Sequence, residues 1–372
     1  MPSDRPEDLP GLLDWLDAVA RSGSAGRIAA GFLTYEAGVA LEGSTCHFRP
    51  PSTPLAWFAL FDARDRRAIG GAGTGAAGRG GESGPSPGPA DPEEGPELDL
   101  AGWNGAVGRI REGIARGDVY QANLTRRTVR EQEIAPRRLA ELLYSDNPVP
   151  YAICVDLGGL AVVSNSPELF LDVDLASRRV ASAPIKGTIP RRLAGSEGAA
   201  RSALLGSEKD SAEHVMIVDL IRNDLGKVCA AGSVHVPEYR CVTTYRHLHH
   251  LESTVAGTLR PEVRLSGLLA ATLPGGSITG APKRAALGFI RRLEPVARGP
   301  YTGAAGYVRG DGKAVFNVAI RTAVVRRSSV AYHAGGGIVW DSEPLLEWEE
   351  TETKSREFFR ALAAAAGPSE GA

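Results

Sequence analysis

A segment between residues 70 and 96 divides this chain into two unequal parts. From Gly70 to Pro96 almost every residue is Gly, Ala, Pro, Ser or charged. Such a segment has too few apolar side chains to bury a core, so it predicts a flexible linker. We therefore divide the chain into an N-terminal segment (1–69), a linker (70–100) and a body (101–366). The N-terminal segment is too short to be stable alone, so we expect it to pack on the body.

The body alternates short apolar strands with amphipathic helices. Because neighbouring strands have short connections, the pattern predicts an α+β fold in which antiparallel sheets pack as a sandwich with helices on the outside. The clearest predicted strands are Tyr151–Asp156, Leu160–Ser164, Leu169–Val173, Val315–Val325 and Ser329–Ala334, and the clearest helices are Glu208–Leu225 and Leu345–Ala364.

The composition narrows the class of protein. A formal net charge of −2 over 372 residues gives no reason to expect a nucleic-acid or anionic-membrane partner. No apolar run reaches the roughly 18 residues that a membrane span requires, and the acidic first ten residues do not resemble a signal peptide. Four cysteines lie far apart, which argues against a disulfide framework. We expect a cytoplasmic globular protein.

Two predicted helices each carry a pair of acids three residues apart. These are Asp210 and Glu213 on the first helix and Glu347 and Glu350 on the last. This spacing places both carboxylates of a pair on one helix face, where they repel unless a cation lies between them. Four converging carboxylates would suit Mg²⁺. The alternative is that both are ordinary solvated helix faces.

One lysine has an unusual setting. Lys186 lies between an extended stretch that begins at Pro184 and a turn that begins at Gly187. In a dry pocket its amine would be a nucleophile or a base, and at a loop edge it would be an ordinary solvated charge.

Glycine-rich segments and isolated polar residues predict a site for a small anion. The segment Leu273–Lys283 runs into a helix, where backbone N–H groups can bind an anion. The cluster Gly335–Gly337 lets a ligand approach the backbone. Arg321, at the end of an apolar strand, suits a carboxylate. Together these parts favour a multiply anionic substrate held by Mg²⁺, arginine and backbone amides.

The motifs together resemble those of the chorismate-utilising enzymes. The similarity runs from about Gly102 to Arg360, and its motifs are specific in combination. They are Gly117–Gln121, Ser164–Glu168, Ala183–Thr188, Glu213–Asp224, Ser277–Lys283 and Gly335–Glu350.

The resemblance implies a role for each matching residue. It places Mg²⁺ on Glu213 and Glu350, with Asp210 and Glu347 in the outer shell through water, and it makes Glu168 the general acid that protonates the departing 4-hydroxyl of chorismate. It also places Gly187, Thr188 and Lys354 beside the ring carboxylate, and His250 with Thr188 in the catalytic pocket. Beside the enolpyruvyl carboxylate it places Tyr301, Arg321 and the backbone of Gly335, Gly336 and Gly337.

Two positions predict which reaction of this family the chain carries out. Gln121 stands where isochorismate synthases place a lysine base, so hydroxylation at C2 is disfavoured. Lys186 resembles the lysine of the aminodeoxychorismate synthases, which attacks C2 covalently before ammonia enters at C4. The resemblance therefore predicts formation of 4-amino-4-deoxychorismate for folate and para-aminobenzoate synthesis.

The ammonia source and two other functions follow from the same resemblance. The chain has no G-x-C-x-G amidotransferase motif, so we expect ammonia from a separate glutamine amidotransferase subunit. The enzymic alternative is anthranilate synthase component I, which aminates chorismate at C2 with loss of pyruvate. A chorismate-binding protein without turnover is the alternative from another class.

Overall fold

The structure is a computed structural model that describes residues 2–44, 48–65, 96–191, 196–206, 208–246 and 248–365. Most of the predicted linker (70–100) lies outside the described residues. Its last residue, Leu100, is already helical: Asp99 caps that helix by accepting a hydrogen bond of 2.7 Å from the backbone N–H of Gly102.

The described residues form strands and α-helices throughout the chain. The strands are β1 (Pro2–Ser3), β2 (Arg27–Leu33), β3 (Ala56–Asp62), β4 (Gln121–Glu131), β5 (Tyr151–Asp156), β6 (Leu160–Ser166), β7 (Leu169–Asp174), β8 (Arg179–Ala183), β9 (Ile185–Pro190), β10 (His235–Thr244), β11 (Leu248–Thr258), β12 (Gly280–Ala281), β13 (Ala304–Arg309), β14 (Lys313–Val318), β15 (Thr322–Arg326) and β16 (Ser329–Ile338). The helices are α1 (Leu9–Ala20), α2 (Tyr35–Leu41), α3 (Leu100–Ala115), α4 (Pro136–Asp146), α5 (Glu197–Gly206), α6 (Glu208–Gly226), α7 (Leu265–Thr272), α8 (Lys283–Leu293) and α9 (Pro344–Ala365).

Two antiparallel sheets organise the fold. In the described residues the larger sheet has ten strands, ordered β1-β3-β2-β13-β14-β7-β8-β11-β10, with β9 paired to β11. The smaller sheet has six, ordered β12-β4-β16-β15-β6-β5. The α+β fold with antiparallel sheets and helices is confirmed. Strands β2 and β3 of the N-terminal segment extend the larger sheet through the pairing of β2 with β13.

Apolar faces hold the helices on the sheets. The principal core joins Leu16 of α1, Leu268 of α7 and Phe316 of the larger sheet, all buried. A second core lies under the smaller sheet, where Trp103 of α3 packs with Leu124. No helix in the described part of the chain is long and apolar enough to cross a membrane.

The structure corrects two predicted strands. The predicted single strand Val315–Val325 is wrong, because β14 ends at Val318 in the larger sheet and β15 begins at Thr322 in the smaller one. Arg321 interrupts it with a φ of 50°, a left-handed conformation that cannot continue a strand. The predicted strand Ser329–Ala334 is longer than expected, because β16 continues through Gly335–Gly337 to Ile338.

Candidate active site

Two chain crossings between the sheets lie side by side and position the centre of the site. Glu168 lies on the link between β6 and β7, and Arg321 lies on the link between β14 and β15. The backbone N–H of Val318 donates to the carbonyl of Glu168 at 3.0 Å, and the N–H of Asn165 donates to the carbonyl of Arg321 at 3.1 Å. Ser166 adds a side-chain hydrogen bond of 2.6 Å to the carbonyl of Val318. These hydrogen bonds therefore hold the two crossings next to each other.

The carboxyl group of Glu168 is suited to hold a proton near neutral pH. Its residue is only 5% exposed, and burial raises its pKa to about 7. The hydroxyl of Ser277 donates to its Oε1 at 2.8 Å and opposes that rise, as does the positive charge of Lys186, whereas the negative charge of Glu252 adds to it. The structure thus places Glu168, Lys186 and the glycine-rich loop together.

Lys186 is paired with one of the predicted metal ligands. Its ammonium group on β9 forms an ion pair with Oε2 of Glu213 on α6. Glu213 is buried, and Lys186 is about one-quarter exposed. Asp210 lies on the same helix, and its side chain is outside the described part of the structure. The residue predicted to be a nucleophile and one of the residues predicted to bind the metal are therefore in direct contact.

Thr188 and His250 form a second contact between neighbouring strands. They face each other where β9 pairs with β11, and Thr188 Oγ1 lies 2.7 Å from His250 Nδ1. Burial, together with the nearby charges of Arg321 and His249, lowers the pKa of His250 to about 3. His250 is therefore neutral at physiological pH. Gly187 lies between Lys186 and Thr188 with a φ of 90°, which glycine adopts without strain.

The glycine cluster borders the acids of the last helix. A β-carbon added at Gly336 would lie 3.4 Å from Glu347 Oε2 and 3.9 Å from Glu350 Oε1. Glu347 is buried and accepts a hydrogen bond of 2.7 Å from Ser342. Lys354 Nζ lies 2.7 Å from Glu350 Oε1 and donates to the carbonyl of Gly335 at 2.7 Å.

The chemistry of the acids suits a divalent cation, but the described residues contain no assembled metal centre. No group of three or more His, Cys, Asp or Glu in that part of the chain is arranged to hold a metal ion. The oxygens of Glu347 and Glu350 converge at Gly336, while Glu213 is engaged by Lys186. Carboxylate oxygens are the ligands that Mg²⁺ prefers. Two of these carboxylates, those of Glu213 and Glu350, are paired with lysine ammonium groups.

The two residues predicted for the enolpyruvyl side have different surroundings. Arg321 is near enough to influence the pKa values of His250 and Tyr332, and its guanidinium lies 3.8 Å from Glu357. Tyr301 is buried with its ring centroid 5.2 Å from that of His333. Burial raises the pKa of the Tyr301 hydroxyl above its usual value, so it remains protonated.

Sequence reasoning did not identify the buried ion pair beneath the site. Arg298 and Glu294 are both buried, with Nη2 to Oε1 at 2.7 Å and Nε to Oε2 at 2.9 Å. Arg298 also donates to the carbonyls of Ile278 and Asn123, which ties the glycine-rich loop to β4. The only sequence signal was an i,i+4 acid–base pair, which is usually a surface feature.

Comparison with known proteins identifies the family: the chain belongs to the chorismate-binding enzymes, whose family model matches residues 7–360. Anthranilate synthase component 1 of Pseudomonas putida is 41% identical over 277 residues, which cover 74% of this chain and 56% of that protein. The protein of the same name from Saccharolobus solfataricus is 42% identical over 266 residues, covering 71% of this chain and 63% of that protein. The chain thus spans 56% to 63% of the length of these relatives.

Solved structures agree with this assignment. Anthranilate synthase component I from Streptococcus pneumoniae has a TM-score of 0.75 and 29% identity, covering 93% of this chain and 85% of that one. The menaquinone-specific isochorismate synthase MenF from Escherichia coli shares the fold, with a TM-score of 0.70, 19% identity and coverage of 97% and 84%.

These relatives overturn the predicted activity. The prediction of an aminodeoxychorismate synthase of the folate and para-aminobenzoate route is wrong, because relatives about 40% identical to this chain are named anthranilate synthase component 1. The enzymic alternative weighed from the sequence is better supported.

Proposed function

We propose that the chain acts as anthranilate synthase component I and aminates chorismate at C2, with loss of pyruvate. The observation that carries the proposal is the identity of about 40% to proteins of that name. Two features of the site support it. Gln121 cannot accept a proton and so cannot activate water, and Glu168 can donate a proton to the departing 4-hydroxyl.

The other residues would bind and orient chorismate. Glu213 and Glu350, with Asp210 and Glu347 behind them, would hold a magnesium ion, which neutralises the ring carboxylate when bound. Gly187, Thr188 and Lys354 would lie beside that carboxylate. The enolpyruvyl side would be bound by Arg321, Tyr301 and the backbone of Gly335–Gly337. Neutral His250 would share a hydrogen bond with the hydroxyl of Thr188.

We also propose that ammonia comes from a separate glutamine amidotransferase subunit and that the enzyme works in the cytoplasm. Ammonia would form the new bond to C2 as the ring double bonds shift and the C4–oxygen bond breaks, and the 4-hydroxyl would leave as water with the proton of Glu168. Loss of the proton on C2 and cleavage of the C3–oxygen bond would then release pyruvate and give the aromatic ring of anthranilate.

A product assay tests the proposed function. The full chain is incubated with chorismate, Mg²⁺ and an ammonium salt, and anthranilate is followed by its fluorescence. We expect fluorescence to increase with time. Formation of 4-amino-4-deoxychorismate would overturn the proposal, and binding of chorismate without any conversion would favour a non-catalytic chorismate-binding protein.

Lys186 should compete with the metal for Glu213. Because the ammonium group and a cation cannot occupy the same carboxylate oxygen, we expect Lys186→Met to lower the half-saturating Mg²⁺ concentration about tenfold, which corresponds to the loss of one competing ion pair. Anthranilate should remain the product. The measurement is the initial rate as a function of Mg²⁺ concentration.

Lys227→Met provides a control for that experiment. Lys227 pairs with Asp224 near the end of α6 at 2.8 Å, outside the group of four acids. This variant should have the Mg²⁺ requirement of the unaltered chain. An unchanged requirement in Lys186→Met, or loss of all activity at saturating Mg²⁺, would contradict competition at Glu213.

A further inference from the structure

Two of the motifs found in the sequence end in residues that form a buried ion pair. The motif Glu213–Asp224 lies on α6, and the motif Ser277–Lys283 leads from the glycine-rich loop (Leu273–Lys283) into α8. Lys283 Nζ lies 2.6 Å from Asp224 Oδ2, and the two side chains are 11% and 6% exposed. The helix dipole disfavours a cation at the first position of a helix, so the carboxylate of Asp224 accounts for a lysine there.

Lys283 holds the two ends of the glycine-rich loop together and joins them to α6. Its Nζ also donates to the carbonyl of Thr272, the last residue of α7, at 3.3 Å. The middle of the loop lies against the same helix, because a β-carbon at Gly276 would be 3.0 Å from Leu220 Cβ. The loop is therefore fixed on α6 both at its ends and near its centre.

The loop and α6 border a small cavity next to the general acid. Glu168 and Asp224 both line this cavity, and most of its remaining wall is apolar, including Phe170 of β7 and Ile221 of α6. The space has room for about one water molecule. The Asp224–Lys283 pair thus lies in the wall of a cavity whose contents determine how well the carboxyl group of Glu168 is hydrated.

Poor hydration is the main reason that Glu168 can hold a proton near neutral pH. Burial has the largest influence on its pKa and raises it, the charge of Glu252 adds to the rise, and Ser277 and Lys186 oppose it. Ser277, which donates to Glu168 at 2.8 Å, belongs to the loop that Lys283 anchors. A change that admits water to the cavity would hydrate the carboxylate and lower this pKa.

We propose that Asp224 and Lys283 are positioning residues for the general acid, because their ion pair holds the glycine-rich loop on α6 and keeps water from Glu168. The inference rests on the proposed role of Glu168 as proton donor and deepens it. The pair acts through the loop, which covers Glu168 and donates to it from Ser277. Glu213 lies about three turns before Asp224 on α6, so the pair also ties this loop to the helix of a predicted metal ligand.

Truncation of the lysine tests this role through a pH profile. Lys283→Ala leaves space for water beside Asp224, so we expect the fall of kcat that accompanies deprotonation of Glu168 to begin about one pH unit lower. The rate at about pH 8 should decrease about tenfold, whereas the rate at about pH 5.5, where Glu168 stays protonated, should change less than about twofold. The measurement is the initial rate of chorismate consumption at saturating substrate.

Lys227→Ala is the matched control, because it makes the same truncation at the same carboxylate. Lys227 lies 2.8 Å from Asp224, but its side chain is 50% exposed, so water already surrounds it. Its pH profile should match that of the unaltered chain. An unmoved profile in Lys283→Ala, or an equal shift in Lys227→Ala, would overturn the proposal.

Asp224→Asn tests the pair from its other side. The amide keeps the volume of the carboxylate but not its charge, so the profile should move in the same direction by a smaller amount. Thermal unfolding shows whether each variant is folded at the assay temperature. Failure of both Asp224→Asn and Lys283→Ala to fold would make the pair a determinant of global stability, which overturns a positioning role.

The proposed function and this inference fail in different ways. If the unaltered chain consumes chorismate without forming anthranilate, the proposed function is wrong, but the pH profile of chorismate consumption still decides the role of the pair. The pKa of Glu168 can also be measured without turnover, from the carboxyl carbon resonance that Glu168→Gln removes from the NMR spectrum. Lys283→Ala should lower this pKa by about one pH unit, and an unchanged value would overturn the inference.

Discussion

Glu168→Gln should lower kcat about 10³-fold while leaving the KM for chorismate within about threefold. The amide has the shape of the carboxyl group and can still accept the hydrogen bond from Ser277, so substrate binding and folding should persist. It cannot release a proton to the departing hydroxyl. Steady-state rates of anthranilate formation, together with thermal unfolding of both proteins, measure the effect.

The unaltered chain should also show the pH dependence of this group. Burial raises the pKa of Glu168 to about 7, and a general acid works only in its protonated form. We therefore expect kcat to fall roughly tenfold per pH unit above about pH 7. Glu252→Gln serves as the comparison, because it removes a negative charge that raises the Glu168 pKa and should shift this limb to lower pH.

Retention of more than about one-tenth of kcat in Glu168→Gln would exclude Glu168 as the proton donor.

Short motifs on single strands and on one helix were enough to predict which of several candidate residues lie near one another. Lys186, Gly187 and Thr188 follow one another on β9, and His250 lies opposite Thr188 on the paired strand β11. Glu347, Glu350 and Lys354 are spaced so that they lie on one face of α9. In both cases the regular geometry of a strand or helix converts sequence spacing directly into spatial proximity.

The features that were missed depend on contacts between distant segments. The apolar run Val315–Val325 contains no residue that signals a break, yet the chain changes sheet within it. Gly335–Gly337 has low strand propensity, but pairing with β4 holds these glycines in the ladder. The bonds from Ser277 to Glu168 and from Asn123 to the Ser277 backbone join residues 109 and 154 positions apart. No periodicity in the sequence encodes such pairs.

Arg298 and Glu294 are neighbours in the sequence, but their burial was missed, and this buried pair predicts the largest effect on stability. Glu294→Ala would leave the buried guanidinium of Arg298 without its carboxylate partner. Removing one member of a buried ion pair costs about 3–5 kcal/mol, because the remaining charge is neither solvated nor neutralised. It would also remove the acceptor of the Thr125 backbone N–H at 2.9 Å. Denaturant-induced unfolding of the full chain measures the change in the free energy of unfolding.

An exposed pair with the same spacing isolates the contribution of burial. Arg137 and Glu141 are also an i,i+4 pair, at 2.8 Å, but both side chains are substantially exposed. Glu141→Ala should therefore change the free energy of unfolding by less than about 1 kcal/mol. The double variant Glu294→Leu with Arg298→Met should lose less than the sum of the single variants, since no unpaired charge remains in the interior. Equal effects of Glu294→Ala and Glu141→Ala would show that the ion pair does not support the loop and strand that carry Ser277 and Asn123.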